Sequence, residues 1–223
     1  MKTPAVRMAE QMRCPRGLWG GFAASIMKRY NEQAELWTVE QLQVGPADCV
    51  LEIGFGPGLG LRQVLKGLSA GNVYGIDMSP RMVRMASRTN FEALQSGKLQ
   101  LQIGSADHLP YKDAMFDKVF AVNVVYFWNK PRVELIEIKR TLKNGGLIAL
   151  YVVEKNDLQK MRQARTDVFR LRDTEEIAKM LEEVGLKNIK IEHRKELPRR
   201  RTGSRAPRRA RGRIFSSHVV IDA

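Results

Sequence analysis

Glycine recurs at every second position in Glu52-Ile53-Gly54-Phe55-Gly56-Pro57-Gly58, where a short apolar run, Cys49 to Ile53, gives way to a helical pattern near Leu59. A short apolar run bounded by turn residues reads as a buried strand, so the stretch predicts strand, tight turn, helix. Glycines in the turn permit φ > 0 and let a ligand lie against the main chain. The helix that follows offers unpaired N–H groups and the positive end of its dipole. The chemistry that suits this arrangement is the binding of an extended, partly anionic small molecule. A dinucleotide fingerprint, G-x-G-x-x-G, would need glycine where Leu59 stands, so that pattern fails. What remains is an acidic residue, Glu52, inside a glycine run at a strand end. About twenty residues on, Val73-Tyr74-Gly75-Ile76-Asp77 ends a second apolar run with a carboxylate able to accept both hydroxyls of a ribose lying across the turn. The same side chain could instead cap a helix opening at Pro80.

The elements that must position these groups follow a rhythm. Strand Asp48–Ile53, helix Leu59–Leu68, strand Asn72–Asp77, helix Pro80–Leu94 and strand Lys98–Ile103 come first. Strand Lys118–Asn123, helix Arg132–Leu142, the turn Asn144-Gly145-Gly146 and strand Leu147–Val153 follow. Strands alternating with helices predict a parallel, doubly wound α/β sheet with right-handed crossovers. Upstream, residues 1–12 are expected to fray. A helix over Pro15–Thr38 carries Trp19, Phe22, Ile26 and Tyr30 on one face, either packed on the core or capping the ligand site. Downstream, a polar helical piece (Asp157–Asp167), a helix (Thr174–Val184) and a strand (Asn188–His193) lead into a basic stretch. Ile214–Ile221 is β-prone again, and with Asn188–His193 it would make an antiparallel hairpin at the sheet edge.

At 223 residues the chain fits one domain with a sizeable core. The N-terminal residues hold no apolar h-region and no long apolar run occurs, so neither a signal peptide nor a membrane partner is expected. Two cysteines, Cys14 and Cys49, without paired spacing suggest no disulfide framework and no zinc or other metal site, and a cytoplasmic setting is the default. The net charge of +14 prompts a nucleic-acid reading. Residues 194–213, however, hold ten Lys/Arg and one Glu, a net +9, which leaves +5 for the rest. The excess is local. It comes without interleaved aromatics for base stacking, so a nucleic-acid partner is possible but not favoured.

Taken together, the Glu52–Gly58 loop, the Gly75-Ile76-Asp77-Met78-Ser79 strand end, the Gly104–Pro110 loop, Phe116-Asp117-Lys118-Val119 and Leu142-Lys143-Asn144-Gly145-Gly146 resemble a class I S-adenosylmethionine-dependent methyltransferase over about residues 44–153. Pro15-Arg16-Gly17-Leu18 and Tyr126-Phe127-Trp128 further resemble small bacterial members acting on small molecules. The resemblance implies a Rossmann-like, mostly parallel seven-stranded sheet with an antiparallel edge hairpin. It also implies a helical cap (1–43) ahead of a methyltransferase domain (44–223), in which 197–213 is a basic connection. S-adenosyl-L-methionine is the implied cofactor. Gly54, Gly56 and Gly58 would approach its methionine and ribose portions, and Glu52 would orient the loop or a water at its amino group. Asp77 would bind the ribose, and Met78 would lie against the adenine. The family's usual acidic residue followed by alanine is here Ser105-Ala106, so either Ser105 or Asp107 would take the adenine amino group. Asn123 would line the reacting end.

A sulfonium methyl is already activated, so such an enzyme mainly aligns nucleophile, methyl and sulfur and excludes water. A base is needed only for a protonated nucleophile; His108 and Tyr126 are the catalytic candidates, His108 otherwise being a solvated loop residue. Trp19, Tyr30, Tyr126 and Trp128 are candidates for the substrate pocket. Asn123-Val124-Val125-Tyr126 lacks both prolines of the Asn/Asp-Pro-Pro-Tyr signature of amino-methylating nucleic-acid enzymes. The expectation is methyl transfer to a small-molecule acceptor, with a nucleic-acid methyltransferase as the alternative.

Overall fold

The structure, a computed structural model, describes residues 2–195 and 211–218, with 18–19, 22–26, 28, 194–195 and 211–218 described by backbone alone. Five parallel strands form the centre of the sheet: β1 (Cys49–Ile53), β2 (Asn72–Asp77), β3 (Leu99–Ile103), β4 (Phe116–Val122) and β5 (Leu142–Val153). They lie in the order β3-β2-β1-β4-β5, paired parallel throughout. β6 (Lys187–Lys195) and β7 (Arg211–His218) follow at the β5 edge, with β7 antiparallel to both β5 and β6. The strand order reverses between β1 and β4, which opens a crevice at the carboxyl ends of the strands.

Alternation along each strand decides which layer a side chain meets. In β1, Val50 joins the layer of α2 (Gly17–Leu42), α3 (Leu59–Gly67) and α4 (Pro80–Thr89), with Ala34, Trp37, Leu61 and Met82. Leu51 and Ile53 join the opposite layer, with Leu135 and Ile138 of α6 (Pro131–Thr141) and Ile177 and Leu181 of α8 (Thr174–Glu183). By the same two-residue period Glu52 lies on the α2 side. It is 1% exposed, an acid inside an otherwise apolar layer.

Several boundaries depart from the sequence expectation, each for a local reason. Where fraying is expected over residues 1–12, Pro4–Arg13 form a helix, α1, in which Thr3 accepts the Val6 N–H as N-cap and Pro4 starts the first turn. Ala9 on that helix is fully buried in the α6/α8 core. The helix expected over Pro80–Leu94 divides into α4 and α5 (Phe91–Gln95) at Asn90, whose side chain donates to the Gly58 and Ala86 carbonyls at 3.0 and 3.1 Å. The piece expected over 157–167 is a single turn, α7 (Lys155–Leu158), and a 3₁₀ turn over Arg162–Arg165. The last three residues of the expected basic connection, 211–213, are strand backbone paired with β5 and β6, and its residues 197–210 lie outside the described residues.

The N-terminal helices are fixed over the end of β2 by polar contacts. Ser79 Oγ donates to the Pro15 carbonyl at 2.7 Å and accepts the Met82 N–H as N-cap of α4. Arg81 Nη1 donates to the Gly17 carbonyl at 2.7 Å. A Cβ on Gly21 would stand 2.4 Å from Arg81 Nη2, so the guanidinium needs the bare backbone there.

Candidate active site

The turn between β1 and α3 adopts the conformation its glycines allow, with φ of +69°, +51° and +82° at Gly54, Gly56 and Gly58. A Cβ on Gly54 would meet Val124 Cγ2 at 2.5 Å, whereas Gly56 has open space within 4 Å. Gly54 and Gly56 line a cavity of about 440 Å³ at the strand ends, and Gly58 lies behind them as the N-cap of α3. Asp77 lines the same cavity and holds the turn. Its Oδ2 accepts the Gly56 N–H at 3.0 Å and its Oδ1 the Ser79 N–H at 2.8 Å. Burial pushes this carboxyl up to about 6, with those two N–H groups pulling the other way.

Met78, Ser105, Ala106 and Asp107 line one wall. The loop after β3 that carries Ser105–Asp107 is anchored by Arg140 of α6, which donates to the Leu109 and Tyr111 carbonyls at 3.0 and 2.9 Å and pairs with Glu137 and Asp113. Asn123 ends β4 with φ +58° and also lines the cavity. A polar chain fixes its side chain. The Val153 N–H donates to the Tyr126 hydroxyl, which donates to Asn123 Oδ1 at 2.9 Å. Asn123 Nδ2 then donates to Asn31 Oδ1 of α2 at 3.0 Å. Tyr126 is thus buried behind the cavity wall, its hydroxyl occupied by protein partners. Trp128 and Phe127 do line the cavity, and Trp128 Nε1 has no hydrogen-bond partner among the described residues.

Besides Gly58 and Tyr126, the expected residues His108, Tyr30 and Glu52 fall outside the lining. His108 is exposed on its loop. Tyr30 is 61% exposed, because the stripe of α2 that faces the cavity is Met27, Asn31 and Glu35, at spacings of four residues. The side chain of Trp19 lies outside the described residues. Glu52 sits beneath the turn, where it accepts the Leu61 N–H and fills the space left by Gly60, a Cβ on which would lie 2.5 Å from Glu52 Oε1. Sequence reasoning missed Glu35. It is 4% exposed, it lines the cavity, and its Oε2 has no partner among the described residues. Its one sequence signal is an acid on the face of α2 that also carries Ala34 and Thr38, both buried. Cys49 opens β1 at the strand ends away from the cavity, and burial pushes its thiol up to about 11.

A glycine turn bound to an acidic strand end, at the reversal of strand order in a parallel α/β sheet, defines an enzyme site for a nucleoside-bearing cofactor. The comparisons agree. The methyltransferase-domain family matches residues 51–150. YdaC of Bacillus subtilis, an uncharacterized methyltransferase, is 34% identical over 128 residues, 57% of this chain and 68% of that protein. Three further relatives are spanned over 64%, 56% and 52% of their length. Among solved structures, the YcgJ protein of Bacillus subtilis has a TM-score of 0.71 at 15% identity, covering 85% of this chain and 99% of that one. A SAM-dependent methyltransferase, possible histamine N-methyltransferase, from Thermotoga maritima has a TM-score of 0.66 at 21% identity, covering 95% and 99%. The chain belongs to the methyltransferase-domain family and is a class I S-adenosylmethionine-dependent methyltransferase.

The residues present fit that cofactor. Gly56 leaves room for a ligand against the main chain, the Asp77 carboxylate borders the cavity, and Glu35 offers a buried oxygen without a partner among the described residues. Together they suit a molecule that joins an adenosine to a cationic amino-acid end.

Proposed function

We propose that the protein methylates a small-molecule acceptor held between the glycine turn and the N-terminal helices, and that residues 1–43 act as the cap of a domain spanning 44–223, with β6 and β7 as its edge hairpin in a seven-stranded sheet. The observation that carries this reading is the make-up of the cavity. One side is the cofactor wall (Gly54, Gly56, Asp77, Met78, Ser105–Asp107), and the other is Met12 of α1, Met27 and Asn31 of α2, and Phe127 and Trp128. A space of about 440 Å³ is in the range of small-ligand sites, and two helices over its mouth leave little access for a folded nucleic acid.

S-adenosylmethionine, when bound, supplies a methyl group already activated by the sulfonium. The chain's own residues bind and align. Asp77 accepts from the ribose while holding Gly56, and Met78 and Ser105–Asp107 enclose the base. Asn123, fixed by Tyr126 and Asn31, orients a polar group at the reacting end. Met12, Met27, Phe127 and Trp128 keep water out, so that an acceptor is held in line rather than met by diffusion. No histidine lines the cavity among the described residues, and the site suits a nucleophile that arrives unprotonated or loses its proton to solvent. The reading goes with a cytoplasmic enzyme; among the described residues no helix is long and apolar enough to cross a membrane.

The test is S-adenosylhomocysteine formation against a panel of small acceptors and against total RNA, using the full chain. Turnover with a small acceptor that persists when residues 197–210 are removed supports the reading. Turnover on RNA alone, lost with that segment, overturns it.

A further inference from the structure

We propose that Glu35, carried by the cap helix α2, receives the ammonium group of the bound cofactor and gives up a proton to solvent as it does so, making cofactor binding and proton release one event. The inference rests on the cofactor assignment above and adds to it a residue from outside the matched domain. Glu35 comes from the helix that packs on the same face of β1 as Val50, and the alternation of that strand brings Glu52 onto this face. Two carboxyls therefore share one apolar layer, each with an Oε2 that finds no partner among the described residues. Their exposures are 4% and 1%. Only Glu35 borders the cavity. Glu52 lies deeper and is already engaged by the Leu61 N–H.

The charged groups that act on the pair are all acids. Glu32 of α2 faces Glu35, and Asp77 of β2 acts on Glu52 together with Glu35 itself. Arg13 of α1 and Lys130 of the loop before α6 border the same cavity, but neither is among the groups acting on Glu35. The polar neighbour one turn away, Asn31, is committed to Asn123. A buried carboxyl with no cation beside it holds its proton, and burial first, then Glu32, push Glu35 up to about 8. An arriving ammonium reverses the balance: it is the opposite charge the layer lacks, and it makes the ionised form the favoured one. The oxygen without a partner then gains one, and the ammonium keeps its own protons.

The experiment is calorimetric titration of the full chain with S-adenosylhomocysteine at pH 6.5, in buffers of differing ionisation enthalpy, so that the slope counts protons. At this pH an amino group with a pKa near 8 is already charged in the free ligand, and a carboxyl at about 8 is almost fully protonated, so release of about one proton per site is expected. Glu35→Gln, which keeps the shape and the neutral state, should lose that proton and release no more than 5′-methylthioadenosine does. 5′-Methylthioadenosine has the ribose and base without the ammonium and should release only the fraction of a proton that Asp77, at about 6, gives up, the same from both proteins, which controls for Asp77. In the wild type the dissociation constant for S-adenosylhomocysteine should fall about tenfold from pH 6 to 7. That measurement needs no variant to fold. Saturable binding without proton release overturns the proposal and leaves the cofactor assignment standing. An unchanged proton count in Glu35→Gln, or an equal count with 5′-methylthioadenosine, overturns it too. Absence of any saturable binding overturns the cofactor assignment and the proposal with it.

Discussion

At the scale of a single residue, Asp77 holds the glycine turn while lining the cavity proposed for the cofactor. Its two oxygens are each occupied by a backbone N–H, one from Gly56 in the glycine turn and one from Ser79 at the start of α4. An amide cannot accept at both positions, because one of its heavy atoms is a donor. Asp77→Asn therefore leaves Gly56 or Ser79 facing an N–H instead of an oxygen, inside a site that is 7% exposed. An unmet buried hydrogen bond costs about 1–3 kcal/mol, which corresponds to a loss of roughly tenfold to a hundredfold in affinity for S-adenosylhomocysteine when the turn must be ordered to bind. Titration calorimetry measures this directly, and an affinity within twofold of the wild type would remove Asp77 from the binding site. Glu52 differs in kind, since it borders no part of the cavity and acts on the turn from beneath.

At the scale of elements, the N-terminal helices are held by buried side chains such as Ala9, Ala34 and Trp37 and, near the end of β2, by a few polar bonds that can be removed singly. Arg81 reaches from α4 to the Gly17 carbonyl and lies on Gly20 and Gly21, whose missing side chains make room for it. Arg81→Ala removes that bond and the packing of its stem, and leaves Ser79 and Pro15 joined. The expected result is faster amide hydrogen exchange over residues 17–35 with exchange in β1, β4 and β5 unchanged; equal acceleration in the sheet would mean that the cap and sheet open as one unit. The sheet and the N-terminal helices also differ in how far the sequence was legible. Strand-to-helix alternation and glycine spacing are local signals, so β1, β2 and the turn between them were readable from Cys49 to Asp77. The Gly54, Gly56 and Gly58 conformations follow from residue type. The orientation of α2 does not, because it depends on which face of a 26-residue helix meets the sheet. Hydrophobic residues such as Tyr30 pointed to one stripe, whereas the structure turns Met27, Asn31 and Glu35 to the cavity. Asn31 and Glu35 are polar, and hydropathy patterning places polar residues outside. Likewise α1 has a weak apolar pattern, and its order comes from a cap at Thr3 and from Ala9 meeting a core built by residues more than a hundred positions away.

At the scale of the whole molecule, ionisable groups pull stability in opposite directions with pH, and their placement separates architecture from site. Asp117 and Glu137 are held below the ordinary carboxylate range despite some burial, the first by Lys143 and the Cys49 N–H, the second mainly by Arg140. Both tie elements together at partly exposed positions, and their contribution is present above the unfolded pKa and lost as pH falls through the lowered one. Glu35, Glu52 and Asp77 are raised, chiefly by burial, and all three lie around the glycine turn. For a raised acid the sign reverses. Below its unfolded value of 4.5 Glu35 is neutral in both states and costs nothing, and as pH climbs toward about 8 the unfolded chain gains an ionisation that the fold withholds. Stability should therefore fall across that interval by about 1.4 kcal/mol per pH unit from this residue, and level off above it. Glu35→Gln removes the loss without changing the volume. The variant and the wild type should unfold at similar temperatures near pH 5, and the variant should be the more stable by about ten degrees or more near pH 8, at roughly 2–4 °C per kcal/mol for a chain of this size. Thermal unfolding of the two proteins at pH 5, 6.5 and 8 decides it, and a melting-temperature difference that stays constant across the three would mean that Glu35 is ionised in the free protein. A widening difference would mean that the fold carries an acid that destabilises it in the absence of ligand, which is the trade expected of a residue kept for binding rather than for packing.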